Sequence, residues 1–169
     1  MTARHTVVDS PIGELTLVAD GAALIGLYYP HHWYRPDPAG FGPRTNAGFD
    51  TVNQQLAEYF DGQRQAFDLP VELRGDDFQR RVWDLIRQVP HGQTTTYGTL
   101  ARQLGVPGDA RLVGAAVGRN PLSIVVPCHR VVGKDGSLTG YAGGLRRKRF
   151  LLDLEANLLD VPVWLDVPA

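Results

Sequence analysis

The sequence predicts an α+β protein, with a small antiparallel sheet in the first half and a helical second half. Three observations predict it. Apolar and polar residues alternate on both sides of Asp20-Gly21, with Leu15, Leu17 and Ala19 before it and Ala23, Ile25, Leu27 and Tyr29 after it, a strong hairpin signal. Beyond residue 77 the period changes, and Phe78, Val82, Trp83, Ile86 and Val89 fall on one helical face. The change coincides with Arg74-Gly75-Asp76-Asp77, a polar, Gly-containing join. A chain of 169 residues has room for one domain or two small ones, and the join divides it into units 1–76 and 77–169.

The elements follow in order. Thr6 to Asp9 is expected as a further strand, closed by Ser10-Pro11-Ile12-Gly13. Residues 30–48 are expected to lack regular structure, since His31, His32, Pro36, Pro38, Gly40, Gly42 and Pro43 break any period. Phe49, Val52, Leu56, Tyr59 and Phe60 share a helical face that Gly62 ends. Phe67, Leu69 and Val71 alternate as a short strand. The helix after the join takes Asp76 or Asp77 as N-cap and stops at Pro90. Tyr97 to Leu104 and Ala110 to about Gly118 are two short helices around Gly105-Val106-Pro107-Gly108, which reads as a helix-turn-helix. The last helix carries Phe150, Leu151, Leu154, Glu155 and Leu158.

Composition excludes several classes. With 43% apolar and 21% charged residues, the chain is neither disordered nor fibrous. One cysteine, Cys128, excludes an intramolecular disulfide framework. The first twenty residues contain Arg4, Asp9 and Glu14 and no signal-peptide core, and no stretch approaches a membrane span, so the expected address is the cytoplasm. The five histidines show no metal-ligand spacing with cysteine. The net charge of -1 hides an asymmetry, about -6 over residues 1–77 against +7 over residues 78–155. That asymmetry points to an acidic partner for the second half, or to a plain dipole between lobes.

The helix at 110–118 is built of small side chains around a single charge, Arg111. A helix that reads the major groove would carry several Arg, Asn or Gln. This one lets its backbone approach something closely, or packs as a buried helix. Cys128 lies in Pro121-Leu122-Ser123-Ile124-Val125-Val126-Pro127-Cys128-His129-Arg130-Val131-Val132. Pro127 stiffens the approach. His129 and Arg130 place a base and a cation within two residues of the thiol, the setting that activates a cysteine nucleophile. A lone cysteine is otherwise most often an inert core residue. Downstream come Gly140-Tyr141-Ala142-Gly143-Gly144, the basic run Arg146-Arg147-Lys148-Arg149 and Glu155, a carboxylate suited to orient an imidazole. Taken singly these read as a loop, a solvated cationic face and a surface acid.

Together the residues resemble the O6-alkylguanine-DNA alkyltransferases, also called methylated-DNA–protein-cysteine S-methyltransferases. The likeness rests on Asn120-Pro121, Pro127-Cys128-His129-Arg130-Val131-Val132-Gly133 and Gly140-Tyr141-Ala142-Gly143-Gly144-Leu145. It extends to Tyr97-Gly98-Thr99-Leu100-Ala101, Ala110-Arg111-Leu112-Val113-Gly114, Glu155 and Asp9-Ser10-Pro11-Ile12-Gly13-Glu14-Leu15. The resemblance implies an N-terminal ribonuclease-H-like α/β domain and a C-terminal helical domain whose helix-turn-helix enters the DNA minor groove. It implies flipping of O6-alkylguanine from double-stranded DNA and single-turnover transfer of the alkyl group to Cys128, with O4-alkylthymine as a further substrate. No cofactor and no metal take part, the protein acts as a monomer, and loading along DNA is cooperative or not.

By the same resemblance His129 takes the thiol proton, Glu155 orients His129, Asn120 braces the turn and Tyr97 protonates the leaving guanine. Arg111 fills the vacated stack, with Tyr97, Ala110, Gly114 and Ala115 on the DNA side. Tyr141, Ala142, Val131 and Gly143 line the base pocket. At Ala142 many members have Ser, so here a backbone N–H is left to contact O6. Two other readings stand beside this one. A lesion-binding relative without the acceptor is disfavoured by Cys128 and by residues 1–77. A cysteine hydrolase needs an oxyanion hole that no motif supplies.

Overall fold

The structure is a computed structural model and describes residues 2–159. The tail assigned to the second unit from residue 160 onward lies outside the described residues. Strands β1 (Ala3–Ser10), β2 (Gly13–Asp20) and β3 (Ala23–Tyr28) form an antiparallel sheet in the order 1-2-3. Ser10 pairs with Gly13 and Asp20 with Ala23, so both connections are tight turns, the second at Asp20-Gly21 as the sequence predicts. Gly21 has φ 59°, a left-handed conformation that favours glycine.

Leu15, Leu17, Leu24 and Leu27 enter the main core, where helix α1 (Asp50–Phe60) contributes Val52, Leu56, Tyr59 and Phe60. Burying side chains of this size stabilises by about 1.5–3 kcal/mol each. The segment 30–48 is more ordered than its prolines suggest. Asp37 caps a 3-10 turn at Pro38–Phe41, and Phe41 stacks on Tyr28 in a small second core with Val18.

The strand expected at 67–71 does not form. Only a bridge at Val71 meets β3, through Leu24 N–H to the Pro70 carbonyl at 2.9 Å and Glu72 N–H to the Leu24 carbonyl at 3.1 Å. Pro70 has no N–H to give a ladder. The neighbouring backbone is satisfied instead by the Gln55 side chain, which exchanges two 2.9 Å bonds with Asp68.

Helix α2 (Asp77–Arg87) begins with a capping box, Asp76 accepting from Gln79 N–H and Gln79 accepting from Asp76 N–H, worth about 1 kcal/mol. Helices α3 (Tyr97–Gln103) and α4 (Ala110–Gly118) are capped by Thr96 and Asp109 and joined by residues 104–109. The fully buried Trp83 of α2 donates its indole N–H to the Ala116 carbonyl at 2.9 Å, fixing α4 from behind. Val113 of α4 is buried, while Leu112, which a buried helix would enclose, is exposed. A two-residue parallel pair, β4 (Thr95–Thr96) with β5 (Val131–Val132), was not legible in the sequence.

Helix α5 (Leu145–Glu155) starts at the basic run rather than after it, and Leu158 lies exposed beyond its end. The basic run is not one solvated face, since Arg147 and Lys148 are buried. Among the described residues, no helix is long and apolar enough to cross a membrane.

Candidate active site

The cysteine is delivered by a short, heavily bonded turn. Asn120 Nδ2 donates to the Val126 carbonyl at 2.9 Å, and its Oδ1 accepts from Leu122 N–H at 3.0 Å. Within this turn Ile124 has φ 72°, a strained conformation for a β-branched residue. From outside, Leu27 N–H of β3 donates to the Pro121 carbonyl at 2.8 Å, so the first sheet holds the turn from its open edge. Cys128, His129 and Arg130 then form one buried 3-10 turn.

The next link is a buried relay. His129 Nε2 lies 2.6 Å from Glu155 Oε2, and His129 is 0% exposed. A carboxylate only accepts, so His129 donates through Nε2–H and leaves Nδ1 as its basic nitrogen. Among the described residues, no protein group bonds Nδ1. Burial lowers the His129 pKa against the pull of Glu155, so the imidazole is neutral at neutral pH. Burial by itself would raise the Glu155 pKa. The bonds from His129 and Arg130 overcome this and hold its carboxyl below the usual range.

Arg130 does not serve the thiol, as its place beside Cys128 suggested. Its Nε donates to Glu155 Oε1 at 2.7 Å, its Nη2 to Oε2 at 3.0 Å and its Nη1 to the Val89 carbonyl at 2.6 Å. The cation near the sulfur is Lys148, fully buried, with Nζ donating to the carbonyls of Val131 at 2.7 Å and Thr139 at 3.2 Å. Burial raises the Cys128 pKa, and Asn120, Lys148 and Ser123 only partly offset it. The resting group is therefore a thiol, which must lose its proton to react. Burial also brings the Lys148 pKa down to about 8.

Cys128 lies in a cavity of about 400 Å³ with Trp33, Tyr97, Ala110, Arg111, Gly114, Val117, Gly118, Thr139, Gly140, Tyr141 and Ala142. The cavity is of small-ligand size, and α4 contributes its small-residue face. Tyr97 stands opposite Gly114, and its hydroxyl accepts from Thr139 Oγ1 at 3.3 Å. Arg111 is exposed at the first turn of α4. Ala115 is exposed on the same helix but outside the cavity lining.

Two residues expected as pocket walls are not in the lining. Val131 is buried in β5, where its carbonyl holds Lys148. A Cβ on Gly143 would collide with the Tyr29 ring, so Gly143 is a close-packing position behind the wall.

Sequence reading missed three residues of the first half. Tyr29 Oη lies 2.7 Å from Tyr141 Oη and braces it. Trp33 packs its indole on Gly118 and Gly140, where a Cβ on Gly140 would meet Cη2 at 2.6 Å. Tyr59 Oη donates to Glu155 Oε2 at 2.6 Å. No local pattern marks them, because each meets its partner only across the join. Among the described residues, no group of three or more His, Cys, Asp or Glu is arranged to hold a metal.

A buried cysteine in the wall of a cavity floored by a small-residue helix, followed in the chain by an imidazole bonded to a buried carboxylate, defines the class of proteins with a cysteine nucleophile. Comparison narrows the class. Residues 3–73 match the ribonuclease-like domain of 6-O-methylguanine DNA methyltransferase, and residues 77–157 match its DNA-binding domain. The methylated-DNA–protein-cysteine methyltransferase of Mycobacterium tuberculosis is 48% identical over 154 residues, 91% of this chain and 93% of that protein. The Haemophilus influenzae protein of that name is 40% identical over 157 residues, 92% and 88% of the two chains. The crystal structure of M. tuberculosis OGT in complex with DNA aligns with a TM-score of 0.85 at 45% identity, covering 91% of this chain and 93% of that one. The chain belongs to the 6-O-methylguanine DNA methyltransferase family.

Proposed function

We propose that this chain repairs O6-alkylguanine in double-stranded DNA, and O4-alkylthymine as a second substrate, by moving the alkyl group to its own Cys128. The observation that carries this reading is Cys128 in the cavity wall, followed by a buried His129 whose Nε2 is engaged by Glu155 so that Nδ1 is its basic nitrogen. The thiol proton passes to Nδ1 through an intervening water. The thiolate attacks the alkyl carbon, the S–C bond forms and the C–O6 bond breaks. Tyr97 donates its O–H in a hydrogen bond to the departing guanine, and the proton that left the thiol through His129 is the one guanine takes up, so tyrosine and imidazole both end neutral. The product is a thioether, which the relay has no means to cleave, so each molecule reacts once. No cofactor or metal enters the balance.

The division into a unit 1–76 and a unit 77–169 is part of the same reading and is supported by the two family matches on either side of the join. We place α3 and α4 as a helix-turn-helix in the minor groove, bound as a monomer, because α4 offers small side chains where base reading would need long polar ones. Phosphate contacts fall to exposed cations such as Arg102 and Arg119. The buried Arg130, Arg147 and Lys148 do not contribute, so the surface is less basic than the net charge of residues 78–155 suggests. A DNA substrate and a single cysteine, which can form no intramolecular disulfide, support a cytoplasmic address in this reading.

Intact mass measured during incubation with excess O6-methylguanine duplex tests the function. The expected end point is one methyl group per protein. No gain in mass indicates a lesion binder, and continuing release of product indicates a hydrolase.

Arg111→Ala tests the flipping geometry. Extrusion of a base costs a few kcal/mol, and Arg111 is the one long side chain at the cavity mouth on α4. The variant is expected to slow transfer from duplex DNA about tenfold or more, and transfer from free O6-benzylguanine, which needs no flipping, less than twofold. Equal losses on both substrates with a lower Tm would show Arg111 to be a brace. A weaker Kd with an unchanged rate at saturation would show a phosphate contact alone.

A further inference from the structure

The relay has a member that the reaction as described does not use. Glu155 Oε2 lies 2.6 Å from His129 Nε2, 2.6 Å from Tyr59 Oη and 3.0 Å from Arg130 Nη2. Tyr59 is on α1, in the other half of the molecule, and is 1% exposed. We propose that Tyr59 is a positioning residue for alkyl transfer, donating its O–H to the Glu155 oxygen that His129 uses and so holding His129 in its neutral, Nε2–H form. The proposal rests on the reading of His129 as the proton acceptor.

The chemistry follows from the acceptor. Glu155 shares its charge among three donors at one oxygen. Charge-assisted bonds of this kind are short and strong. Each donor lowers the electron density left for the others, so Tyr59 limits how far Glu155 can stabilise an imidazolium at His129. An imidazole that is already protonated in the resting protein cannot accept the thiol proton. Burial and the Glu155 charge raise the Tyr59 pKa well above the ordinary value, so the hydroxyl stays a donor wherever the protein is folded.

The charged and titratable groups facing the His129–Glu155 pair are Arg130 from the 3-10 turn, Tyr59 from α1, His91 from the α2–β4 connection and Lys148 from α5. His91 meets Tyr59 edge-on at 6.2 Å between ring centroids and is common to parent and variant.

Tyr59→Phe keeps the ring and its contacts with Phe60, Phe67 and His91, and removes only the donor. Two readouts are compared between parent and variant. The first is the pH dependence of single-turnover transfer from O6-benzylguanine. The second is the NMR titration of the His129 imidazole, assigned with His129→Asn. Freed from one donor, Glu155 binds the imidazolium more tightly, so the acid limb of the rate and the imidazole titration should both move up by about one pH unit. On the acid limb this is a loss of about tenfold in rate, recovered at higher pH. An imidazole titration that stays in place or moves down, with or without a lower Tm, overturns the proposal. A parent protein that gains no methyl group from O6-methylguanine duplex overturns the functional reading instead, and the imidazole titration still decides the role of Tyr59.

Discussion

Cys128→Ser is expected to accept no alkyl group while binding alkylated duplex DNA within about twofold of the parent affinity. A serine hydroxyl is far harder to ionise than a thiol and far less nucleophilic toward an alkyl carbon. The site does little to compensate. Its burial already raises the Cys128 pKa, and the nearest cation, Lys148, is committed to backbone carbonyls. The groups placed on DNA, Arg111 and the small face of α4, do not touch the substituted atom. Asn120 and Ser123 lie close enough to bond the new hydroxyl, so the cost in stability is held to about 1–3 kcal/mol, or a few degrees in Tm. Intact mass and a binding isotherm on the same duplex check both halves of the expectation. A serine protein that gains the mass of one alkyl group would remove Cys128 from its role as the acceptor.

What the sequence made legible was local. The β2–β3 hairpin follows from alternation around Asp20-Gly21, and α2 from the stripe at Phe78, Val82 and Ile86 with Asp76 ahead of it. The segment Pro127 to Arg130 and the distant Glu155 were legible through family likeness, and the fold brings His129 and Glu155 to 2.6 Å. Failures came where a partner lay elsewhere in the chain. Phe67, Leu69 and Val71 alternate like a strand, yet the Gln55 side chain takes the backbone bonds at Asp68 that a ladder would have made.

The basic run illustrates the same limit. Charge counted along the chain treats Arg146, Arg147, Lys148 and Arg149 alike. In the fold Lys148 is enclosed and bonded to Val131 and Thr139, and Arg147 donates to Ile12 and Gly143. Arg130 was read as the thiol's cation from adjacency alone, but its side chain is bonded to Glu155. Tyr29, Trp33 and Tyr59 are ordinary core or loop aromatics in the sequence. Only the packing of the first half against residues 77–155 turns them into supports of Tyr141, the cavity wall and Glu155. The first half thus reaches the reacting centre at three places.

Glu155→Gln is expected to combine a large loss of rate with a large loss of stability, because one carboxylate serves both. The amide keeps one oxygen for Arg130 but replaces the other acceptor with an NH₂ donor. That donor would face Tyr59 Oη and His129 Nε2, both of which donate to Oε2 in the parent. The imidazole relieves the clash by giving up Nε2–H and carrying its proton on Nδ1, which removes the base that the thiol needs. General-base contributions run from about 10² to 10⁴, so single-turnover transfer should fall by about 10²-fold or more. The Arg130 guanidinium meanwhile stays buried without its countercharge. Breaking a buried pair by removing one partner costs about 3–5 kcal/mol, or roughly 10 °C in Tm for a chain of this size. The pH dependence has a definite sign. The Glu155 carboxyl is held below its ordinary value of 4.5 in the folded protein. Its contribution is therefore fully present above that pH and is lost as pH falls toward the folded value, since the unfolded chain takes up the proton first. The stability gap between parent and variant should be widest near neutral pH and close on acidification below pH 4.5. Denaturant melts at several pH values, read beside transfer rates at a temperature where both proteins are folded, separate the two effects. A Gln variant that transfers at the parent rate would put Glu155 outside the relay, and a stability gap that stays constant with pH would show that its charge does not support the fold.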